Sequence, residues 1–379
     1  MSQINVKNLL NENEDGAPKI ESTPDFSATS YMVPPVGTTV QRPENPQPGE
    51  LRFNTDIGSL EYYKGTSLGW ETIGLTSPDL DGGARGIFAA GQVAPSAGSY
   101  TNHIEYVTIS TLGNGNTFGD LTVTRSHCAG MASRSRSVFG SGYGPSNVMD
   151  YITIASTGNA VDFGDNTSTR DSTAGISDQT RGLIAGGSNS VSNTITYITI
   201  AQTGNAIDFG DLTRTHSGMA GASSSTRGIC AGGGGTSDVE YNTIDYVTIQ
   251  TTGNATDFGD LTYTKTNNCS GGANSTRMIV VGGADTPGYS QENVIDYITI
   301  ATTGNATDFG DTSEVTSGCA VMASPTRGVI KLGNADYPNT TNIIEYVEFA
   351  TTGNSVDFGD SVLQTYGVGE GISNAHGGL

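Results

Sequence analysis

One eighteen-residue block dictates what this chain can become. It reads Ile244-Asp-Tyr-Val-Thr-Ile-Gln-Thr-Thr-Gly-Asn-Ala-Thr-Asp-Phe-Gly-Asp-Leu261 in its fourth copy, and it occurs six times. Its central phenylalanines are Phe118, Phe163, Phe209, Phe258, Phe309 and Phe358, with intervals of 45, 46, 49, 51 and 49 residues. Each copy follows an arginine that opens a short apolar run: Arg85, Arg136, Arg181, Arg227, Arg277 and Arg327. Self-similarity at such a period marks an array of supersecondary units.

The third copy shows what one unit is. Arg181 to Gly187 is apolar and closes on two glycines. Thr194 to Ile200 alternates β-branched and aromatic residues, as a half-buried strand does. Thr203-Gly-Asn205 is a turn signal, Ile207 to Leu212 a further strand, and Ser217 to Ala222 a strand of small residues suited to a crowded place. Glycine and Asn-Gly clusters between four short runs predict an antiparallel meander. No apolar period of 3.6 residues appears, so no long helix is expected. Four strands repeated every 45 to 50 residues predict an all-β fold, a six-bladed β-propeller. The first copy lacks a small-residue strand before Arg85. Tyr366 to Ile372 has that character, so the C-terminal strand is expected to close blade 1 and leave no open edge.

The double glycine followed by a strand with a central tyrosine resembles the kelch pattern. That family's tryptophan is absent, since the single Trp70 lies outside the repeats, and the Phe-Gly-Asp phenylalanine takes its packing role.

Three segments are expected: an extended N-terminal arm (1–48), a β-hairpin attachment module (49–80) and the propeller (81–379). Pro24, Pro34, Pro35, Pro43, Pro46 and Pro48 hold the arm extended. Leu51/Phe53 and Leu60/Tyr62 flank Asp56-Ile-Gly-Ser59 as a hairpin, with Trp70 to Ile73 a third strand. So small a sheet needs a packing partner. The stretch from Pro46 to Trp70, with Gly49-Glu-Leu-Arg-Phe-Asn-Thr-Asp56 and Leu60-Glu-Tyr-Tyr63, resembles a module of tailed-bacteriophage fibre and attachment proteins. The Ile-Asp-Tyr to Phe-Gly-Asp repeat is similar to virion proteins of marine phages, cyanophages above all. The resemblance implies a virion protein of tail, neck or head, assembled in the host cytoplasm. It also implies contacts to other virion proteins through residues 1–76, with apolar points at Ile20, Phe26, Tyr31, Met32 and Val33, and a homotrimer.

A net charge of −21 argues against nucleic acid as a partner. No run of about 18 apolar residues exists for membrane insertion, and no basic-then-apolar leader opens the chain. Cys128, Cys230, Cys269 and Cys319 read as small buried hydrophobes. The pairs Asp162/Asp165, Asp208/Asp211, Asp257/Asp260, Asp308/Asp311 and Asp357/Asp360, with Asp120 alone in the first copy, offer too few oxygens for calcium by themselves, and backbone carbonyls would have to complete a site. The structural alternative is that one Asp per blade caps a turn or accepts from the recurring arginine. No metal and no cofactor is assigned. One arginine and at least one aspartate per repeat suggest a structural Arg–carboxylate clamp between blades, with pairing to blade carbonyls as the alternative. His103, His127, His216 and His376 lie at unrelated repeat positions, so no catalytic cluster is read.

Variation concentrates in the loops after the double glycine, five of which carry a tyrosine: Tyr100, Tyr143, Tyr241, Tyr289 and Tyr337. Such rings can stack on sugar faces or anchor a protein interface, which makes them the candidate receptor face, while packing onto their own loops is the alternative. The chain reads as a non-enzymatic virion protein, a fibre or decoration, that displays its propeller for host-surface receptor or glycan binding, with plain structural or decorating service as the close competitor. The rival is a propeller enzyme acting on host surface polysaccharide, which needs an arginine group and an acid at one place.

Overall fold

The computed structural model describes residues 34–56, 59–66, 69–72, 84–93, 99–144, 147–188, 192–235, 239–264, 267–285, 290–333, 340–368 and 371–379. The apolar points expected in the arm (Ile20, Phe26, Tyr31, Met32, Val33), and Tyr289 and Tyr337, lie outside them. The chain divides into two units, Met1–Thr76 and Ser77–Leu379.

The first unit is a four-stranded sheet. Leu51–Asn54 and Ser59–Tyr63 form the expected hairpin, with Leu51 opposite Tyr62 and Phe53 opposite Leu60. Trp70–Thr72 adds to its far edge. Val36–Gly37 adds to the near edge in parallel, so a strand from the expected arm belongs to this sheet. Its buried side is the polar one: Arg52, Asn54 and Glu61 are nearly inaccessible, whereas Leu51 is exposed. The Glu61 carboxylate accepts from Arg42 Nη2 (2.5 Å) and Asn54 Nδ2 (3.2 Å), which holds it below the usual carboxylate range, the Arg42 bond being the main cause. Arg42 and Arg52 both stand over the Trp70 ring.

The second unit is all-β and antiparallel. The small-residue strand of each copy pairs with the arginine strand that follows it, then come the tyrosine strand and the Phe-Gly-Asp strand. Ala174–Ser177, Arg181–Ala185, Ser192–Thr199 and Ile207–His216 are one such sheet. Four sheets of four strands are built this way. The remaining strands join through Val356–Val368, whose far end pairs with Gly91–Val93, while Gly371–Ser373 lies beside Gly86–Phe88.

Each letter of the Phe-Gly-Asp motif has a separate physical task. The phenylalanine is buried and meets the tyrosine of its own sheet edge-on, at ring centroids 5.9–6.1 Å apart. The glycine is required by close approach: a Cβ on Gly210 would stand 2.4 Å from the carbonyl oxygen of Gly253 in the next copy. The aspartate donates its backbone N–H to the next copy's turn asparagine, as Asp211 does to Asn254 Oδ1 at 3.1 Å. The series returns to its start, for Gly113 N–H donates to the Phe358 carbonyl (3.0 Å) and Asp360 N–H to Asn114 Oδ1 (3.1 Å).

Three residues before each later arginine stands a short polar side chain that accepts the arginine's own N–H: Ser133, Asp178, Ser224, Asn274 and Ser324. The first arginine has no such neighbour in sequence. Asn374, 289 residues away, supplies the acceptor for Arg85 at 2.8 Å.

Candidate functional site

Geometry sorts the candidate residues into those that hold the sheets together and those left at one end of them. The six arginines belong to the first group. Each guanidinium lies over the tyrosine of its own sheet, at 4.3 Å for Arg181 on Tyr197 and 4.7 Å for Arg327 on Tyr346. Its Nη1 then donates to a carbonyl of the next copy: Arg85 to Ile154, Arg136 to Ile200, Arg181 to Ile249, Arg227 to Ile300, Arg277 to Phe349, and Arg327 to Ile109 and Ser110. Of the two expected partners, blade carboxylates and carbonyls, the arginines take the carbonyls, so the Arg–carboxylate clamp is not what joins the copies. Among the described residues only Arg327 of the six also meets a carboxylate, Glu348 at 2.8 Å. A planar cation with forked donors satisfies a ring face and a carbonyl together, and backbone carbonyls are present whatever the neighbouring side chain.

The carboxylates that bridge copies are others. Thr122 donates to Asp150, Thr213 to Asp245, Thr262 to Asp296 and Ser313 to Glu345. Glu105 accepts from the backbone of Val362 and Leu363. These acids precede the repeat tyrosine and are buried, and burial pushes Glu105 and Asp296 up from the usual carboxylate range. Thr196 stands at the same place in the third copy, which hid the pattern in sequence. The acids at the first position of the paired-Asp motif (Asp162, Asp208, Asp257, Asp308 and Asp357) are exposed.

A second buried layer caps the carbonyls where the arginine strands end. Arg125 reaches Ser141 and Val148, Arg170 reaches Gly186 and Thr194, His216 reaches Gly232, and Tyr263 reaches Gly282. Thr316 of the fifth copy is too short to take this place, and Lys331 of the sixth turns its own Nζ onto Leu332 and Thr341. Burial pulls this ammonium down to about 7. All four cysteines are buried thiols, and burial pushes Cys230 out of the reactive range.

The small-residue strands have two unlike ends. Next to the arginines, residues 373–379 cross from strand to strand: Gly377 N–H donates to the Ala273 carbonyl at 2.7 Å, and the His376 ring contacts the Ala132 carbonyl and Ser177 Oγ. All six small-residue strands line the narrow space beside this segment.

The opposite end carries the double-glycine loops. Tyr100 and Tyr143, from neighbouring copies, meet edge-on at 5.5 Å, and Tyr143 is 52 % exposed. Burial, with Tyr143 and Asp171 nearby, raises Tyr100 above the ordinary phenol range. Tyr241 belongs to a separate group, beside His216 at 5.0 Å and under Arg214 at 5.4 Å. The structure thus joins two of the expected tyrosines and sets a third apart. Among the described residues no group of three or more His, Cys, Asp or Glu side chains is arranged to hold a metal ion. No described helix is long and apolar enough to cross a membrane. No protein-family model matches the chain, and no curated protein does.

Proposed function

We propose that residues 84–379 close into a six-bladed β-propeller, with residues 371–374 completing the first blade. We further propose that it works as a non-enzymatic structural protein of a tailed-phage virion, presenting its loop end for binding to host surface glycan. Ring closure is supported by three independent series of inter-copy bonds that run from the first copy to the sixth and back. The observation that carries the binding reading is the half-exposed Tyr100–Tyr143 pair, which combines two aromatic faces with hydroxyls. Against the enzyme reading stands the use of the arginines. A propeller glycosidase needs such groups clustered at its substrate, whereas here each is occupied by a tyrosine ring and a carbonyl. The virion placement, the trimer and the contacts of residues 1–76 rest on the resemblance of residues 46–70 to phage attachment modules.

The test pairs binding with turnover. Purified full-length chain incubated with host surface polysaccharide is expected to bind it without generating reducing ends. Release of reducing ends would establish the enzyme instead, and absence of binding to polysaccharide and to host cells would remove the receptor role. Gold-labelled antibody on particles is expected to decorate the virion, and unlabelled particles would remove the virion placement.

A further inference from the structure

At the loop end, five of the six small-residue strands are entered through one residue in the left-handed region. These are His127 (φ 52°), Ser172 (53°), Gly218 (66°), Asn268 (57°) and Gly318 (60°). Consecutive members are linked by backbone bonds: Ser172 N–H to the His127 carbonyl, Gly218 to Ser172, and Gly318 to Asn268. Glycine is the residue this conformation favours, and two of the five positions use it. The other three carry polar side chains at a conformational disadvantage. Local strain of this kind persists where function requires the side chain.

These residues surround one small depression. A fourth polar residue lines it: Thr173 is only 4 % exposed, and its buried hydroxyl has no hydrogen-bond partner among the described residues. Leaving such a group unsatisfied is costly unless something binds it. Among the described residues the lining holds no Asp, Glu, Lys or Arg, although the Ser172 hydroxyl donates to the neighbouring Asp171 carboxylate at 3.1 Å and so faces a ligand as an acceptor. Burial, opposed by Asp171, lowers His127 below the ordinary imidazole range, so its ring is neutral near pH 7. The cavity is about 30 Å³, room for two or three water-sized groups at ~10–15 Å³ each. Its His127 edge is tied to the Tyr143 loop through Ser126. Tyr143 N–H donates to the Ser126 carbonyl at 2.7 Å, and Ser126 Oγ meets His127 Nδ1 at 3.0 Å.

We infer that this depression is a socket for a hydroxyl or hydroxymethyl group of an uncharged sugar lying across the loop end, bonded by His127, Ser172, Thr173 and Asn268. The inference rests on the glycan reading above and adds to it a site and a ligand class. Neutral imidazole, amide and hydroxyl groups donate and accept in turn, as sugar hydroxyls do. A carboxylated sugar would lose its hydration there without gaining a cation.

Glycine variants separate function from structure, because the fold already uses glycine at these positions. The full chain is titrated by saturation-transfer NMR with methyl glucoside, methyl galactoside, methyl mannoside and glucuronate, alongside His127→Gly, Asn268→Gly, Thr173→Val and Tyr143→Ala. At least one neutral glycoside is expected to bind saturably, and glucuronate is not. His127→Gly and Asn268→Gly are expected to weaken binding at least tenfold with thermal midpoints unchanged or raised. Binding that survives both glycine variants, or midpoints that fall in them, would overturn the socket. If Tyr143→Ala alone abolishes binding, or only the intact polysaccharide binds, the socket fails and the glycan reading stands. If neither glycosides nor polysaccharide bind, both fall.

Discussion

The two ends of the small-residue strands are built on opposite principles. At the arginine end every repeated polar group has a bond, and residues 373–379 add more: the Ser373 hydroxyl to Ala323, Gly377 to Ala273, and Gly378 N–H to His376 Nδ1 at 3.1 Å. The fit is so close that a Cβ on Gly378 would stand 2.0 Å from the Ser177 carbonyl oxygen. At the loop end, non-glycine residues hold left-handed backbone, the Thr173 hydroxyl has no partner among the described residues, and Tyr143 stands half-exposed beside Tyr100. An unpartnered hydroxyl also occurs at the arginine end, Ser137 Oγ beside Arg136 among the described residues, so what sets the loop end apart is its strained backbone and its exposed aromatic ring. A site can be placed where the sheets least need the residues for themselves.

The comparison predicts unequal consequences of damage. Removing residues 371–379 is expected to have the largest effect, exposing the Gly86–Phe88 edge and abolishing a single cooperative melt in calorimetry. A truncated chain that melts like the parent would break the comparison outright. Next comes Arg227→Ala, which loses the Tyr246 face and the Ile300 carbonyl together. A cation–π contact is worth ~0.5–2 kcal/mol and a charge-assisted bond ~1.5–3 kcal/mol, so urea unfolding should report a loss of about 2–4 kcal/mol.

Acid is expected to attack the arginine end. Burial pulls His376 down to about 4, with Asp178 opposing that shift and Arg134 reinforcing it. The imidazole is neutral in the folded state, donating from Nε2 to Ala132 and accepting at Nδ1 from Gly378. The unfolded chain takes up a proton near pH 6.5, so stability is lost as pH falls from about 6.5 through 4, by up to about 3 kcal/mol. The raised carboxylates Glu105 and Asp296 act in the opposite sense. The diagnostic is therefore the difference between parent and His376→Gln, whose melting temperature should fall less between pH 7 and pH 4. Equal slopes would remove His376 from the account.

The smallest effect belongs to the loop end and has the opposite sign. Ala90 (φ 65°) and Ser141 (64°) occupy left-handed positions where Gly186 (64°) and Gly282 (61°) serve in other copies. Ala90→Gly should stabilise by up to about 1 kcal/mol, the left-handed penalty less the entropy cost of glycine. A lower melting temperature would mean that the side chain contributes more than its strain costs.

Much of this architecture is legible in the sequence because repetition amplifies it. The strands, the burial of Phe118 to Phe358 and the pairing of residues near Tyr366 with the Arg85 strand all follow from period and character. The partner of each arginine does not, for the carbonyls contacted lie about 70 residues on and leave no mark on side-chain choice. The bridging acids are hidden by variation, since Asp150, Thr196, Asp245 and Glu345 fill one place with different chemistry. A usable signal for the seam was present. A short polar residue precedes every later arginine by three positions, but Gly82 stands before Arg85, so an acceptor from elsewhere was needed. His127 and His376 look unrelated in sequence, yet they lie at opposite ends of the same set of strands.

The bond between Arg85 and Asn374 also sets a clock on biosynthesis. At ~5–20 residues per second, the ribosome needs about 15–60 s to deliver the partner after Arg85 has been made. Until then the Arg85 strand has one edge unsatisfied, whatever the intervening copies have already assembled. Long-range closure of this kind slows folding and prolongs exposure to neighbouring nascent chains. On a polysome those neighbours are identical chains carrying the same Gly371–Ser373 segment, so strand exchange between copies competes with pairing within one.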